Sequence, residues 1–100
     1  MNLADSLPIQ ISESAWSEIV KIYNHKNIPQ EYGLRIGTQG GGCSGVSYIL
    51  GFDKKKETDK EYIIEGITIY IEKKHIMFLM GMVVDFEESD EGRGFVFNPI

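Results

Sequence analysis

One short run near the middle of the chain combines the only cysteine with four glycines: Gly40-Gly41-Gly42-Cys43-Ser44-Gly45. Glycine adopts positive φ angles and lets the backbone approach a ligand closely, so the run predicts a loop that presents the Cys43 thiol. No lysine, arginine or histidine adjoins Cys43 to favour its thiolate, whereas a bound metal deprotonates a coordinating thiol. The pattern therefore favours ligation of a metal or a cluster over unaided nucleophilic catalysis. A buried loop cysteine is the structural alternative.

The other residues that could do chemistry form no recognisable motif. The run around Cys43 lacks the Gly-Lys-Ser/Thr ending of a phosphate-binding loop, and a strand pattern follows it. Neither His25 nor His75 belongs to a cluster with the spacing of a zinc site, such as His-x-x-x-His. Both are therefore predicted to be surface residues at helix ends. The acidic residues from Asp85 to Glu91 lack the spacing of a calcium loop and are predicted to form a solvated edge.

Composition limits the class of protein. A chain of 100 residues predicts a single domain over 1–100. The net charge of −5 argues against nucleic acid or an anionic membrane as the partner. No segment approaches the ~20 apolar residues of a membrane helix, and the first residues lack the pattern of a signal peptide. One cysteine cannot form an internal disulfide, so we expect a cytoplasmic protein.

Hydrophobic periodicity outlines the elements that must position the loop. Strands outnumber helices and do not alternate with them, which predicts the α+β class with short, mostly antiparallel strands and two helices. The predicted elements are a strand over 7–11, a helix over 15–23 capped by Ser12 or Ser14, a strand on each side of the glycine run, a hairpin with its turn at Gly66, a helix over 73–80 that stops at Gly81, and strands around 84–86 and 95–97 joined by a loop over 89–94.

Several segments together resemble the HesB-like (IscA-like) family of A-type iron–sulfur cluster carriers. The glycine–cysteine run and the later Gly-Phe-x-Phe-Asn-Pro segment are the most specific of them, and they occur in the family's order. The matching segments are Ile9-Gln10-Ile11-Ser12, Gly33-Leu34-Arg35-Ile36-Gly37, the 40–45 run with Tyr48, Gly66-Ile67, Leu79-x-Gly81, Val84-Asp85-Phe86 and Gly94-Phe95-x-Phe97-Asn98-Pro99.

The resemblance implies a fold, a cargo and partners. The fold would be a flattened barrel or sandwich of short strands, assembled as a homodimer or a higher oligomer. The cargo would be iron or an iron–sulfur cluster, passed to apo iron–sulfur proteins or exchanged with proteins of the assembly machinery. In the family one ligand stands in the glycine loop and two in a Cys-Gly-Cys tail beyond Asn-Pro. The sequence ends at Ile100, so only the first ligand carries over, onto Cys43.

Three functions remain open at this point. An assembly or carrier protein would share a cluster between chains through Cys43, held in the loop of Gly40, Gly41, Gly42, Ser44 and Gly45. Small thiols or oxygen ligands would complete the ligand set. A diverged interaction module would keep the fold without the cluster. An enzyme would use Cys43 as nucleophile, but no general base stands at a recognisable spacing, so we expect a protein that is not an enzyme.

Overall fold

The computed structural model of the chain describes residues 7–40 and 45–100. Within those ranges it contains two α-helices and seven strands, which confirms the predicted α+β class of short, mostly antiparallel strands. The elements are β1 (Gln10–Ile11), α1 (Glu13–His25), β2 (Tyr32–Gly40), β3 (Val46–Lys54), β4 (Asp59–Ile64), β5 (Ile67–Glu72), α2 (Ile76–Leu79), β6 (Met82–Ser89) and β7 (Gly92–Pro99). They form two compact units, and the single domain over 1–100 stays a prediction.

The first unit, Pro29–Met80, is built on a four-stranded sheet in the order β3-β2-β5-β4. Strands β2 and β3 pair antiparallel from Tyr32↔Lys54 to Gly40↔Val46, and β4 pairs antiparallel with β5. Only Leu34↔Ile69 and Arg35↔Tyr70 join β2 to β5, in parallel. Because the parallel contact is so short, the second half of β2 has β3 on one side and, among the described residues, no strand on the other.

The core of this unit follows from the alternation of apolar residues along its central strands. Side chains two residues apart share a face of a sheet, and one face of β2 and β5 buries four such residues together with Leu79. The fully buried side chains are Leu34, Ile36, Ile69, Ile71 and Leu79. Between β4 and β5 the chain turns through Glu65 and Gly66, whose φ angles are 49° and 85°. Two consecutive positive φ angles define the tight turn that matches strand twist, as predicted at Gly66.

The second unit, Ile9–Ile28 with Gly81–Ile100, joins α1 to a three-stranded sheet in the order β1-β6-β7. Ser12 begins the helix: its Oγ accepts a hydrogen bond from the N–H of Ala15 at 3.1 Å. Serine is among the preferred N-cap residues, and the backbone selects Ser12 over Ser14 for this position. Ala15 and Ile19 on α1 and Val84 on β6 are fully buried, so the predicted apolar stripe of the helix is confirmed.

Three predicted elements differ from the structure in length. The strand over 7–11 is reduced to Gln10–Ile11, because only these residues pair with β6. The helix over 73–80 is a 3₁₀ turn at Lys73–His75 followed by one α-helical turn, which stops before Gly81 at φ 81°. The loop predicted over 89–94 is wrong, since β6 and β7 pair as far as Ser89↔Gly92. In residues 7–40 and 45–100, no helix is long and apolar enough to cross a membrane.

Candidate functional site

The predicted cysteine loop falls at the open end of the β2–β3 hairpin, between Gly40 and Gly45. Gly40 is the last residue of β2 and has φ 84°, and Gly45, just before β3, has φ 85°. A Cβ at Gly40 would lie 3.6 Å from the carbonyl oxygen of Gly45, so the two ends are close together. Left-handed backbone favours glycine over other residues, which explains both positions. The hairpin therefore gathers the two ends of the loop at one point.

The predicted ligand itself lies outside the described residues, and so do three of its neighbours: Gly41, Gly42, Cys43 and Ser44. Their roles in binding stay predictions. Across residues 7–40 and 45–100, no three His, Cys, Asp or Glu side chains come together in a group that could hold a metal ion.

An open cavity of about 390 Å³ lies beside the point where the loop leaves β2. Its walls come from the end of β2 and from the helical segment that follows β5. None of the described lining residues is acidic, although the chain as a whole has a net charge of −5. The lining residues are Thr38, Gln39, Gly40, Lys74, His75 and Phe78.

His75 is the residue of this cavity that sequence reasoning placed wrongly. The sequence predicts a surface position, but His75 is half-buried, and its Nδ1 accepts a hydrogen bond from the N–H of Thr38 at 3.4 Å. Gly37 makes room for the ring, since a Cβ there would lie 2.8 Å from Nδ1. This half of β2 lacks a described strand partner on one side, so the imidazole takes the place of a strand carbonyl. No local sequence signal links His75 to Gly37.

The opposite end of the β2–β3 hairpin is fixed by a buried ion pair. The Arg35 guanidinium donates two hydrogen bonds of 2.7 Å to the two carboxylate oxygens of Asp59, a bidentate arrangement. The Arg35 side chain is 8% exposed and that of Asp59 is fully buried. Arg35 also donates to the Lys54 carbonyl at 2.7 Å and to Asp53 Oδ2 at 3.1 Å. The pair thus ties β2, the end of β3 and the start of β4 together.

These contacts shift the pKa values of the groups involved. The hydrogen bonds from Arg35 hold the pKa of Asp59 below its usual value against the effect of burial. The hydrogen bond from the Lys54 N–H, together with that from Arg35, lowers the pKa of Asp53. The Asp59 carboxylate raises the pKa of Arg35 in turn. Both carboxylates are therefore ionised in the folded protein, and the network is a structural one.

The acidic stretch of the second unit divides into two kinds of residue. Glu88, Asp90 and Glu91 are exposed, as predicted for a solvated edge. Asp85 instead accepts hydrogen bonds from the hydroxyls of Ser12 at 2.7 Å and Ser14 at 2.9 Å, and these lower its pKa. It therefore holds the first turn of α1 against β6.

His25 is the second of the two histidines for which the sequence predicts a surface position. It lies in the last turn of α1 and is exposed, which confirms the prediction. A cation at the C-terminal end of a helix is favoured by the helix dipole. The two histidines of the chain therefore differ in surroundings, one solvated and one held against β2.

Residues 7–99 match the protein family described as iron–sulphur cluster biosynthesis. The match spans both units and includes the open hairpin, the cavity and Cys43. The chain belongs to this family, as its motifs predicted, and the class of protein is therefore one that serves the assembly of iron–sulfur clusters.

Individual relatives agree with this assignment. The iron–sulfur cluster insertion protein ErpA of Idiomarina loihiensis is 38% identical over 96 residues, covering 94% of this chain and 82% of its own. A crystal structure of IscA with the [2Fe–2S] cluster is 27% identical with a TM-score of 0.65, covering 91% of this chain and 81% of that one. Escherichia coli SufA has a TM-score of 0.70 over 91% of this chain and 79% of its own. At 22% identity it supports the fold alone.

Proposed function

We propose that the chain binds iron or an iron–sulfur cluster through Cys43 and passes it on as an assembly or carrier protein. The observation that carries the proposal is the open end of the β2–β3 hairpin, where Gly40 and Gly45, both at positive φ, stand on either side of residues 41–44. That connection contains the only cysteine of the 100 residues. Gly41, Gly42 and Ser44 complete the proposed binding loop. Family membership and the [2Fe–2S] cluster of the related IscA structure support the cargo.

The proposed site is shared between copies of the chain. A [2Fe–2S] or [4Fe–4S] cluster usually takes four cysteine thiolates, whereas residues 1–100 supply one. Two copies, or more, would bring their Cys43 thiolates together, and small thiols would fill the remaining positions. Met77, Phe78 and Met80 support self-association, because these apolar side chains are 83%, 54% and 61% exposed. A cluster of exposed apolar side chains favours contact with another protein surface.

The partners and location follow from the same chemistry. The recipients or donors would be apo iron–sulfur proteins and proteins of the assembly machinery, and the chain would act as a carrier and not as an enzyme. Its net charge of −5 disfavours nucleic acid and anionic membranes as partners. A thiol that must stay reduced to bind iron suits the cytoplasm, where thiols are kept reduced.

Anaerobic reconstitution with ferrous iron and sulfide tests the proposal. We expect visible charge-transfer absorption in the wild-type protein and its loss in the Cys43→Ser variant. Thermal unfolding of both apo-proteins would show that the variant is folded. Absence of the absorption in the wild-type protein, or equal absorption in Cys43→Ser, would contradict the proposal.

A second function, that of an interaction module without a cluster, is favoured by the exposed apolar residues of α2 and its flanks. Met77 and Met80 present their side chains to solvent, one within a helix of only four residues and one just after it. In that case binding of an assembly-machinery protein would survive Cys43→Ser and fail in Met77→Ser with Met80→Ser. The carrier function instead predicts that delivery of a cluster is lost in Cys43→Ser.

A further inference from the structure

The cavity beside the cysteine loop has a donor in a fixed orientation. His75 lines the cavity, and its Nδ1 faces β2: the absent side chain of Gly37 leaves room for the ring there, and the Thr38 N–H donates a hydrogen bond to Nδ1. A neutral imidazole has one N–H donor and one acceptor nitrogen. Because Nδ1 accepts, the proton of the neutral ring lies on Nε2. None of the described residues accepts a hydrogen bond from that N–H.

The same geometry argues against His75 as a metal ligand. A histidine that ligates a metal usually donates its other ring N–H to a carboxylate, a carbonyl or water. Here the other nitrogen faces a backbone N–H, which is a donor. If Nε2 bound a metal, the ring proton would lie on Nδ1 and would point at the hydrogen of the Thr38 N–H. The ring is therefore arranged to donate a hydrogen bond from Nε2 and not to coordinate iron.

The charge of the cavity fits an anionic acceptor. Lys74 and His75 are its two basic residues, and Lys74 Nζ lies 3.8 Å from the Glu72 carboxylate outside the lining. Gln39 and Thr38 add polar side chains, and none of the described lining residues is a carboxylate. Iron–sulfur cores ligated by thiolates carry negative charge on their sulfurs, and hydrogen bonds to those sulfurs help to set the reduction potential. Gly40, in the wall of this cavity, is the residue from which the connection to Cys43 begins.

We propose that His75 donates a hydrogen bond from its Nε2–H to a sulfur of the iron–sulfur cargo that Cys43 binds. This inference rests on the proposed function and adds a second residue to that site. His75 would hold the cargo and raise its reduction potential, because a donor to sulfur stabilises the more negative reduced state.

The test compares reconstituted wild-type protein with three variants. His75→Leu removes the donor, His75→Gln keeps an amide donor and a carbonyl that can accept from Thr38, and His25→Leu is the matched control at an exposed histidine. We expect His75→Leu to weaken iron and sulfide uptake about tenfold and to shift the reduction potential to more negative values. His75→Gln should recover most of both effects, and His25→Leu should change neither.

Two measurements separate a donor from a ligand and remain informative if His75→Leu fails to fold. Long-range ¹H–¹⁵N NMR of the wild-type apo-protein should show the proton of neutral His75 on Nε2. Pulsed EPR of the reduced wild-type cluster should show an exchangeable proton coupling without the strong nitrogen coupling of a coordinated imidazole. A proton on Nδ1, or strong nitrogen coupling, would overturn the inference.

The remaining outcomes distinguish this inference from the proposed function. If uptake requires Cys43 but His75→Leu binds the cargo with unchanged affinity and potential, the inference is wrong and the proposed function stands. If the wild-type protein takes up no cluster, both are wrong. Gly37→Ala serves as a second variant, because its Cβ would displace the ring and should reproduce the loss seen in His75→Leu.

Discussion

The two antiparallel hairpins of the four-stranded sheet end in different ways. In β4–β5 the turn consists of Glu65 and Gly66 alone, both at positive φ, and the strands pair up to Ile64↔Ile67. In β2–β3 the described pairing stops at Gly40↔Val46, and Gly40 and Gly45, which stand on either side of residues 41–44, both have positive φ angles. Glycines at positive φ therefore occur at the ends of both hairpins, within the turn of β4–β5 and on either side of residues 41–44 in β2–β3.

The two ends of the β2–β3 hairpin have different surroundings. The open hairpin is held at its far end by the buried Arg35–Asp59 pair, which also reaches the first residue of β4. At its near end His75 and a cavity lie beside β2. The closed hairpin ends in a tight two-residue turn and serves as scaffold.

The largest expected effect comes from breaking the ion pair at the fixed end. Asp59→Ala leaves the Arg35 guanidinium buried without its bidentate partner, which should lower the free energy of unfolding by about 3 kcal/mol. Urea unfolding at pH 7 measures this loss. Asp53→Asn is the control, because Asp53 is 49% exposed and ion pairs of exposed side chains contribute little to stability. Equal losses in the two variants would show that the buried contact does not fix the hairpin.

The same pair makes stability depend on pH in the acid range. The folded-state pKa of Asp59 is lowered, so the unfolded chain binds more protons than the folded one between the two pKa values. The stabilisation is complete above the usual carboxyl pKa of about 4 and is lost as the pH falls through the folded-state value. Urea unfolding between pH 7 and pH 3 should give a shallower decline in Asp59→Asn. An equally steep decline of the free energy of unfolding with pH in Asp59→Asn would show that Asp59 is not the group responsible.

The two turns can be compared directly by adding a methyl group at matching glycines. Gly66 and Gly45 both have φ 85°, and a Cβ at either position would meet none of the described atoms within 4 Å. An alanine at either position would therefore be disfavoured by its backbone conformation and not by a steric clash. We expect Gly66→Ala to lower the free energy of unfolding by about 1–2 kcal/mol without changing iron uptake by the folded protein. Gly45→Ala should chiefly reduce iron and sulfide uptake in anaerobic titrations. A loss of iron uptake in Gly66→Ala, with only a loss of stability in Gly45→Ala, would contradict the division into scaffold and site.

The smallest effect is expected at a glycine within the open hairpin. Gly51 lies inside β3 at a φ that other residues adopt, and a Cβ there would meet none of the described atoms within 4 Å. Gly51→Ala should raise the free energy of unfolding by about 0.5 kcal/mol, because alanine restricts the unfolded chain more than glycine does. Thermal unfolding would detect the change. If Gly51→Ala lowered the free energy of unfolding as Gly66→Ala does, the different effects expected at the two glycines would not depend on φ.

Sequence reasoning was sufficient for the parts of the fold that depend on local pattern. The Ser12 cap, the turn at Gly66 and the strands beside the glycine run each have a signal within a few residues. The sequence predicts a loop at the end of the β6–β7 hairpin because its residues are polar and show no apolar alternation. There Arg93 lies 5.2 Å from the centre of the Phe86 ring and 3.6 Å from Glu88, contacts that support pairing beyond the alternating apolar residues.

The rest of the site depends on contacts between residues far apart in sequence. Arg35 and Asp59 are separated by 24 positions, and His75 lies 37 positions from Thr38. Neither pair forms a sequence motif. Arg35 and Asp59 come together through the parallel pairing of β2 with β5, and His75 approaches Thr38 because Gly37 has no Cβ. Sequence reasoning could name Cys43 as a candidate ligand but could not place a second residue beside its loop.

Native mass spectrometry of the anaerobically reconstituted protein tests the central claim most directly, because it weighs the chain and its cargo together. The account predicts an oligomer of two or more copies that carries the mass of iron and sulfide, and predicts that this mass is absent in Cys43→Ser. A metal-loaded monomer, or the same added mass on Cys43→Ser, would contradict it.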